Sequence, residues 1–156
     1  EAGRAIDRLA GPDDILWPGY RWPAMQLDAP LGEGAAGGHG PVRYAVAEYI
    51  PGRRVVFGFS EEGVMAGLDG RHYFEVVPRR KNVLLRHVVE GECGFKTWLL
   101  WLLVVGPCHD ALIEDALDLA ENSLTCGRRS TRLGIRVRML RRMIARRARK
   151  PETAAA

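Results

Sequence analysis

The order helix, strands, long helix predicts an α+β domain. In it a curved antiparallel sheet closes over a long C-terminal helix around an apolar cup, and a basic tail follows. Three observations carry this expectation. Alternating segments come in adjacent pairs joined by short polar turns, which makes antiparallel pairing natural. The strand-helix alternation of a parallel sheet is missing. The charge divides along the chain: residues 1 to 121 hold 12 Lys/Arg against 18 Asp/Glu, and residues 122 to 156 hold 11 against 1. The pI near 9.3 therefore belongs to the tail, and the body is mildly acidic. The domain is placed at residues 1–124 and an Arg-rich amphipathic tail at 125–156.

A length of 156 residues fits one domain with a substantial core. With 47% hydrophobic and 27% charged residues the composition is that of a globular protein, which sets aside wholesale disorder and collagen. Cys93, Cys108 and Cys126 form no CxxC pair and are odd in number. That argues against a secreted disulfide framework or a zinc knuckle and for a reducing, cytoplasmic compartment. No cationic leader with an apolar run opens the chain, and the longest apolar segment, 97–108, is too short for a helix that spans a bilayer. The chain starts at Glu1, without an initiator methionine and close to mid-element, as expected of a fragment or a trimmed chain.

Element by element, Ala5, Ile6 and Leu9 have helical spacing, and Gly11-Pro12 is expected to end that helix with Gly11 as its C-cap. Two Trp-Pro steps in 17–23 fix extended backbone in a loop whose rings pack inward. Gly-rich 32–40 resembles a phosphate cradle. It precedes a strand rather than a helix N-terminus, so it reads as a flexible loop at the cup. Residues 42–50 and 54–59 form a hairpin about Pro51-Gly52-Arg53, and 71–77 with 83–90 form a second about residues 78–82. Residues 95–124 are a long amphipathic helix, with Leu112, Ala116 and Ala120 on one stripe and Asp110, Glu114 and Asp118 on another. Pro107 should kink it or mark its start.

Several stretches then point one way: Trp17-Pro18, the run from Gly38-His39-Gly40 to Tyr44, Glu48-Tyr49-Ile50-Pro51-Gly52-Arg53-Arg54, Gly67-Leu68-Asp69-Gly70 leading into His72-Tyr73-Phe74-Glu75, and the helix through His109-Asp110 to Leu117. Over residues 4 to about 121 they resemble the SRPBCC superfamily, the START-like helix-grip domains that include polyketide cyclase/dehydrase-type proteins, in the form of small bacterial members. The resemblance implies a cavity between sheet and C-terminal helix that holds lipids, sterols, aromatic polyketides or other apolar molecules. The opening strand of that pattern is absent before the first helix, which implies a six-stranded sheet with a bare edge open to a homodimer partner. The Arg-rich tail has no counterpart in the pattern.

Fold does not settle function here. Four histidines, His39, His72, His87 and His109, supply imidazoles that titrate near neutrality, but no two share a metal-type spacing. Counting from the second hairpin pairs Val77 with Val83, and hence Tyr73 with His87, on one face with Glu75 and Leu85; a one-residue bulge would invert this. His109 and Asp110 open the main part of the helix, Asp110 as a cap and His109 toward the cup mouth. The catalytic candidates are His87, Tyr73 and His109. A cyclase-type reaction could use His87 with Tyr73, or His109 with Arg86. The ligand-facing candidates are His39, Tyr44, Tyr73, His87, Trp98, Trp101, His109 and Ile113, the two tryptophans walling either the cavity or the core. No GxSxG, P-loop or HExxH motif occurs, and neither cofactor nor metal is expected.

In the tail Leu133, Val137, Leu140 and Ile144 make one helical stripe among Arg132, Arg136, Arg138, Arg141, Arg142, Arg146, Arg147 and Arg149. Such a helix can lie on anionic lipid, bind nucleic acid phosphates, or fold back onto Asp110, Glu114, Asp118 and Glu121. The expected function is carriage of a hydrophobic small molecule or lipid. The alternatives are a cyclase-like enzyme and a membrane-associated regulatory protein.

Overall fold

A computed structural model describes residues 1–125, 127 and 129–148, with side chains as far as residue 143. Cys126, Arg128, Arg149 and the rest of the tail lie outside the described residues, as do the side chains of Ile144, Arg146 and Arg147. Helix α1 (Ala2–Asp7) buries Ala5 and Ile6. It ends with Arg8 as its C-cap, three residues earlier than the glycine signal predicts, and Ala10 rather than Gly11 takes the left-handed conformation, at φ 61°. A left-handed alanine costs about 1 kcal/mol. Asp14 offsets that cost by accepting hydrogen bonds from the backbone N–H groups of Ala10, Leu16 and Trp17 at 2.8, 2.7 and 2.8 Å.

Six strands follow in one antiparallel meander: β1 (Met25–Leu27), β2 (Ala36–His39), β3 (Val42–Ile50), β4 (Arg54–Gly63), β5 (Leu68–Pro78) and β6 (Val83–Cys93). Two expectations are corrected here. The Gly-rich stretch is not a loop at the cup but includes β2, paired with both β1 and β3. Its glycines are needed there: a Cβ at Gly37 or Gly38 would lie 2.0 Å from the carbonyl oxygen of Gln26 or Val42. The second hairpin turns through four residues, not five, so Pro78 pairs with Val83 and Phe74 with His87. That single-residue slip exchanges the faces of β5, since side chains alternate strictly along a strand.

The resulting inner face holds Tyr44, Val46, Val55, Phe57, His72 and Phe74, all buried. The outer face holds Val56, Tyr73 and a row of ion pairs, Arg54–Glu48, Arg71–Glu90 and Arg86–Glu75. The Glu48-to-Arg54 turn proves to be a seat for α1. Gly52 has φ 70°, its N–H and the Tyr49 hydroxyl both donate to Asp7 Oδ1 at 2.6 and 2.9 Å, and a Cβ at Gly3 would lie 2.2 Å from the Gly52 carbonyl oxygen.

The chain returns over the sheet as one long helical run, α2 (Phe95–Leu100), a π-helical turn (Trp101–Val105) and α3 (Gly106–Thr125). Pro107 stands in the first turn of α3, directly after the π-helical turn. Having no N–H, Pro107 leaves the Leu103 carbonyl without its intrahelical donor, the Gly106 N–H reaches back to Trp101 O, and one extra residue enters the turn. Arg136 Nη2 donates to the Leu103 carbonyl at 2.6 Å. The buried face of α3 consists of Cys108, Ala111, Leu112, Asp115, Ala116 and Ala120. Its central acid is tied to the Trp-Pro loop: Asp115 accepts from Arg21 Nη1 at 2.6 Å and from the Trp22 indole at 2.7 Å.

Helix α4 (Ile135–Ala148) folds back, with Leu133, Val137 and Leu140 packed against the domain core. Arg129 pairs with Glu121 at 3.0 Å, the Thr131 hydroxyl donates to Asp118, and Arg141 lies over the Trp22 ring at 4.7 Å while also donating to the Arg21 carbonyl. The fold is therefore α+β, a six-stranded antiparallel sheet with a long helix against it and a further C-terminal helix.

Candidate functional site

Slipping the second hairpin by one residue gathers histidine. On the inner face β5 contributes His72 and β6 His87, while β2 brings His39 and the start of α3 brings His109, so all four histidines of the chain stand in one column. His39 Nδ1 is 3.1 Å from the Tyr44 hydroxyl. The Tyr44 ring meets His72 edge-on at 5.1 Å, His72 Nδ1 is 3.3 Å from His87 Nε2, and the His87 and His109 rings are 5.0 Å apart. Trp17 and Trp101 close the two ends, 4.7 Å from His39 and 5.4 Å from His109. Phe57 stacks on His72 and Phe74 meets His87 edge-on.

An apolar, ring-filled interior disfavours charge on every member. Burial lowers His39 to about 4 and His87 to about 3, each with smaller contributions from neighbouring histidines and, for His39, from Arg43. His72 falls well below the ordinary value for the same first reason. Burial also lowers His109, with Asp110 acting in the opposite sense, and it raises the Tyr44 hydroxyl. At neutral pH the column is thus a set of neutral imidazoles, each with one N–H and one lone pair. Among the described residues no three His, Cys, Asp or Glu side chains are grouped as ligands for one ion.

For His109 the tautomer follows from its partner. Asp110 Oδ1 lies 3.2 Å from His109 Nδ1, and a carboxylate only accepts, so Nδ1 carries the proton and Nε2 the lone pair. That Nε2 is buried and, among the described residues, has no hydrogen-bond partner, as is the case for His72 Nε2. A buried polar atom left unpaired costs on the order of 1–3 kcal/mol, which a ligand donor would recover. His109 also lines an open cleft of about 460 Å³ between β6 and the long helix, together with His87, Val89, Trp101, Asp110, Ile113 and Glu114.

Of the expected ligand-facing residues, His87, Trp101, His109 and Ile113 line this cleft. His39 and Tyr44 stand behind it in the column. Tyr73 does not join them: it sits on the outer face under the Arg54 guanidinium, 4.4 Å away, because the hairpin register is the alternative one. Arg86 is on that outer face too, paired with Glu75, and cannot serve His109. Trp98 stacks on Phe95 at 5.8 Å and is half exposed, walling neither cleft nor core. Sequence reasoning left out His72, Val89 and Glu114 from the site and gave Asp110 only a capping role. Counting the hairpin from Pro78 would have found the first two. A second cavity, about 300 Å³ between α1 and the end of α3, is lined by Glu1, Arg4, Arg8, Ile15, Ser123 and Leu124 and holds none of the candidates.

Compared with protein-family models, with curated proteins and with solved structures, the chain matches none.

Proposed function

We propose that this chain is a START-like binding protein of the SRPBCC type, which takes a small, largely apolar molecule with a hydrogen-bond donor into the cleft beside His109. The observation that carries this reading is the buried, unpaired Nε2 of His109, oriented by Asp110 and bordered by Trp101 and Ile113. Chemistry narrows the ligand class. Among the described residues no Lys or Arg lines the cleft, its imidazoles are neutral, and Asp110 and Glu114 line it as well. An anion finds no counter-charge there, whereas a neutral aromatic alcohol can stack on Trp101 and donate its O–H to Nε2. A naphthol and the matching naphthoate separate these cases by calorimetric titration. Naphthol is expected to bind, naphthoate not, and His109→Phe should weaken naphthol about tenfold, the loss of one hydrogen bond. Equal binding of both probes, or an unaffected His109→Phe, overturns the assignment. Native mass spectrometry of the purified chain then identifies any resident ligand.

A second reading rests on the same pair. A histidine held by a carboxylate through Nδ1, with Nε2 free, is the arrangement of a general base. A cyclase-like enzyme would use it to remove a proton from carbon next to a carbonyl on a polyketide-type substrate. Exchange of the α-protons of an aromatic ketone in heavy water, followed by NMR, tests it. If His109→Gln exchanges as fast as the unaltered chain, carriage alone remains.

A further inference from the structure

Apart from the exposed Lys96, the helical run opens with a stretch that has no polar face. Toward the molecule it turns Thr97, Leu100, Trp101, Val104 and Val105, all partly buried. Outward it turns Phe95, Trp98, Leu99, Leu102 and Leu103, which are 72, 49, 39, 50 and 49% exposed. These five recur at i, i+3, i+4, i+7 and i+8, so they make one continuous stripe. Helices apolar all round belong in a core or in lipid. Among the described residues no helix is long and apolar enough to cross a membrane, which leaves lying on one.

Arg136 brings α4 to the end of this stripe through its bond to the Leu103 carbonyl. With Leu133, Val137 and Leu140 packed on the core, α4 leaves Ile135, Met139 and Met143 exposed at i, i+4 and i+8. Arg138 and Arg142, also exposed, flank these at helical spacing, with Arg132 just before the helix. No Asp or Glu occurs from residue 122 to residue 151.

We propose that the Phe95–Leu103 stripe and the exposed arginines of α4 form one surface that docks on a bilayer containing anionic lipid. Apolar side chains enter the acyl boundary, the Phe95–Trp98 pair sits at headgroup depth, and guanidinium groups meet lipid phosphates. Charge favours this occupant over a second copy of the chain, because two such surfaces face to face would oppose arginine to arginine. The surface differs from a tail laid on lipid by its Leu133-Val137-Leu140 stripe, which the core already covers. Trp101 lines the cleft one residue before Leu102 of the stripe, so docking sets the cleft beside the lipid surface.

The full chain is floated with vesicles of phosphatidylcholine alone and of phosphatidylcholine containing phosphatidylserine. Binding is expected only to the second, weakening as salt rises. The double change Trp98→Asp with Leu102→Asp, both at exposed positions and monitored for folding by circular dichroism, should abolish it. Arg138→Glu with Arg142→Glu should reduce partitioning by about tenfold or more. Failure to float with anionic vesicles at low salt overturns the proposal, and so does equal flotation of the Trp98/Leu102 variant. Concentration-dependent dimers that this variant abolishes, seen by sedimentation without vesicle binding, would assign the stripe to a second copy instead.

Discussion

His109 meets a different environment at each ring nitrogen, and much of the site's chemistry follows from that. On one side Asp110 holds Nδ1–H; on the other a lone pair is left buried and unused. Asp115 is a buried acid of the opposite kind, with both oxygens engaged by Arg21 and Trp22. Removing one partner of a buried pair leaves the other stranded. Asp115→Ala is therefore expected to destabilise the fold by about 3 kcal/mol, and Asp115→Asn, which keeps an acceptor for the indole, by roughly half as much. Urea denaturation reads both. A cost below about 1 kcal/mol for the alanine variant would show that Asp115 is not the tie between α3 and the Trp-Pro loop. None of this was visible from residue type alone. An acid on a helical stripe reads as solvent-facing, and only the partner 93 or 94 positions earlier in the chain explains its burial.

Among the elements, α1 and the β3–β4 turn depend on each other. The helix approaches so closely that Gly3 has no room for a Cβ beside the Gly52 carbonyl, while Asp7 holds the turn from within. Gly3→Ala must push the two backbones apart, and a loss of about 2 kcal/mol is expected from overpacking of this kind. Thermal unfolding would measure it; an unchanged midpoint would mean that the helix can be reseated without cost. Much of this level was legible in the sequence: the order of elements, both hairpins and the helical run from 95 follow from periodicity and turn residues, as does the first helix. What was not legible has physical causes. Strand β2 is built on glycines that have poor strand propensity and are kept for close backbone approach. The register of β5 against β6 depended on whether Pro78 belongs to the turn or the strand, a one-residue ambiguity that swaps faces. The same slip hid His72 and Val89, since it moves His87 from beside Tyr73 to beside Phe74 and His72. The π-helical turn follows from Pro107 in hindsight, but a missing N–H specifies only that some adjustment occurs, not which.

Across the whole molecule the histidine column couples stability to pH. His39 and His87 are lowered to about 4 and about 3, and His72 well below its ordinary value, in each case mainly by burial. In the unfolded chain each titrates near 6.5. Above that value folded and unfolded chains are both neutral at these sites, and the full stability is present. Below it the unfolded chain binds protons that the folded chain refuses, so stability falls as pH drops from about 6.5 toward 4. Each such histidine withdraws about 1.4 kcal/mol per pH unit in this window, and three together remove roughly 6 kcal/mol by pH 5, comparable with the 5–15 kcal/mol of an ordinary domain. The chain is expected to unfold near pH 5, above the range where carboxylate protonation drives acid denaturation. Urea midpoints at pH 8, 6 and 5 test this, and His72→Phe supplies the control: a ring that cannot titrate, in a site already walled by Phe57 and Phe74, should move the acid transition to lower pH. A transition that stays below pH 4 in the unaltered chain, or does not move in His72→Phe, would show that the column accepts protons without unfolding, and the neutral cleft on which the ligand assignment rests would then have to carry charge.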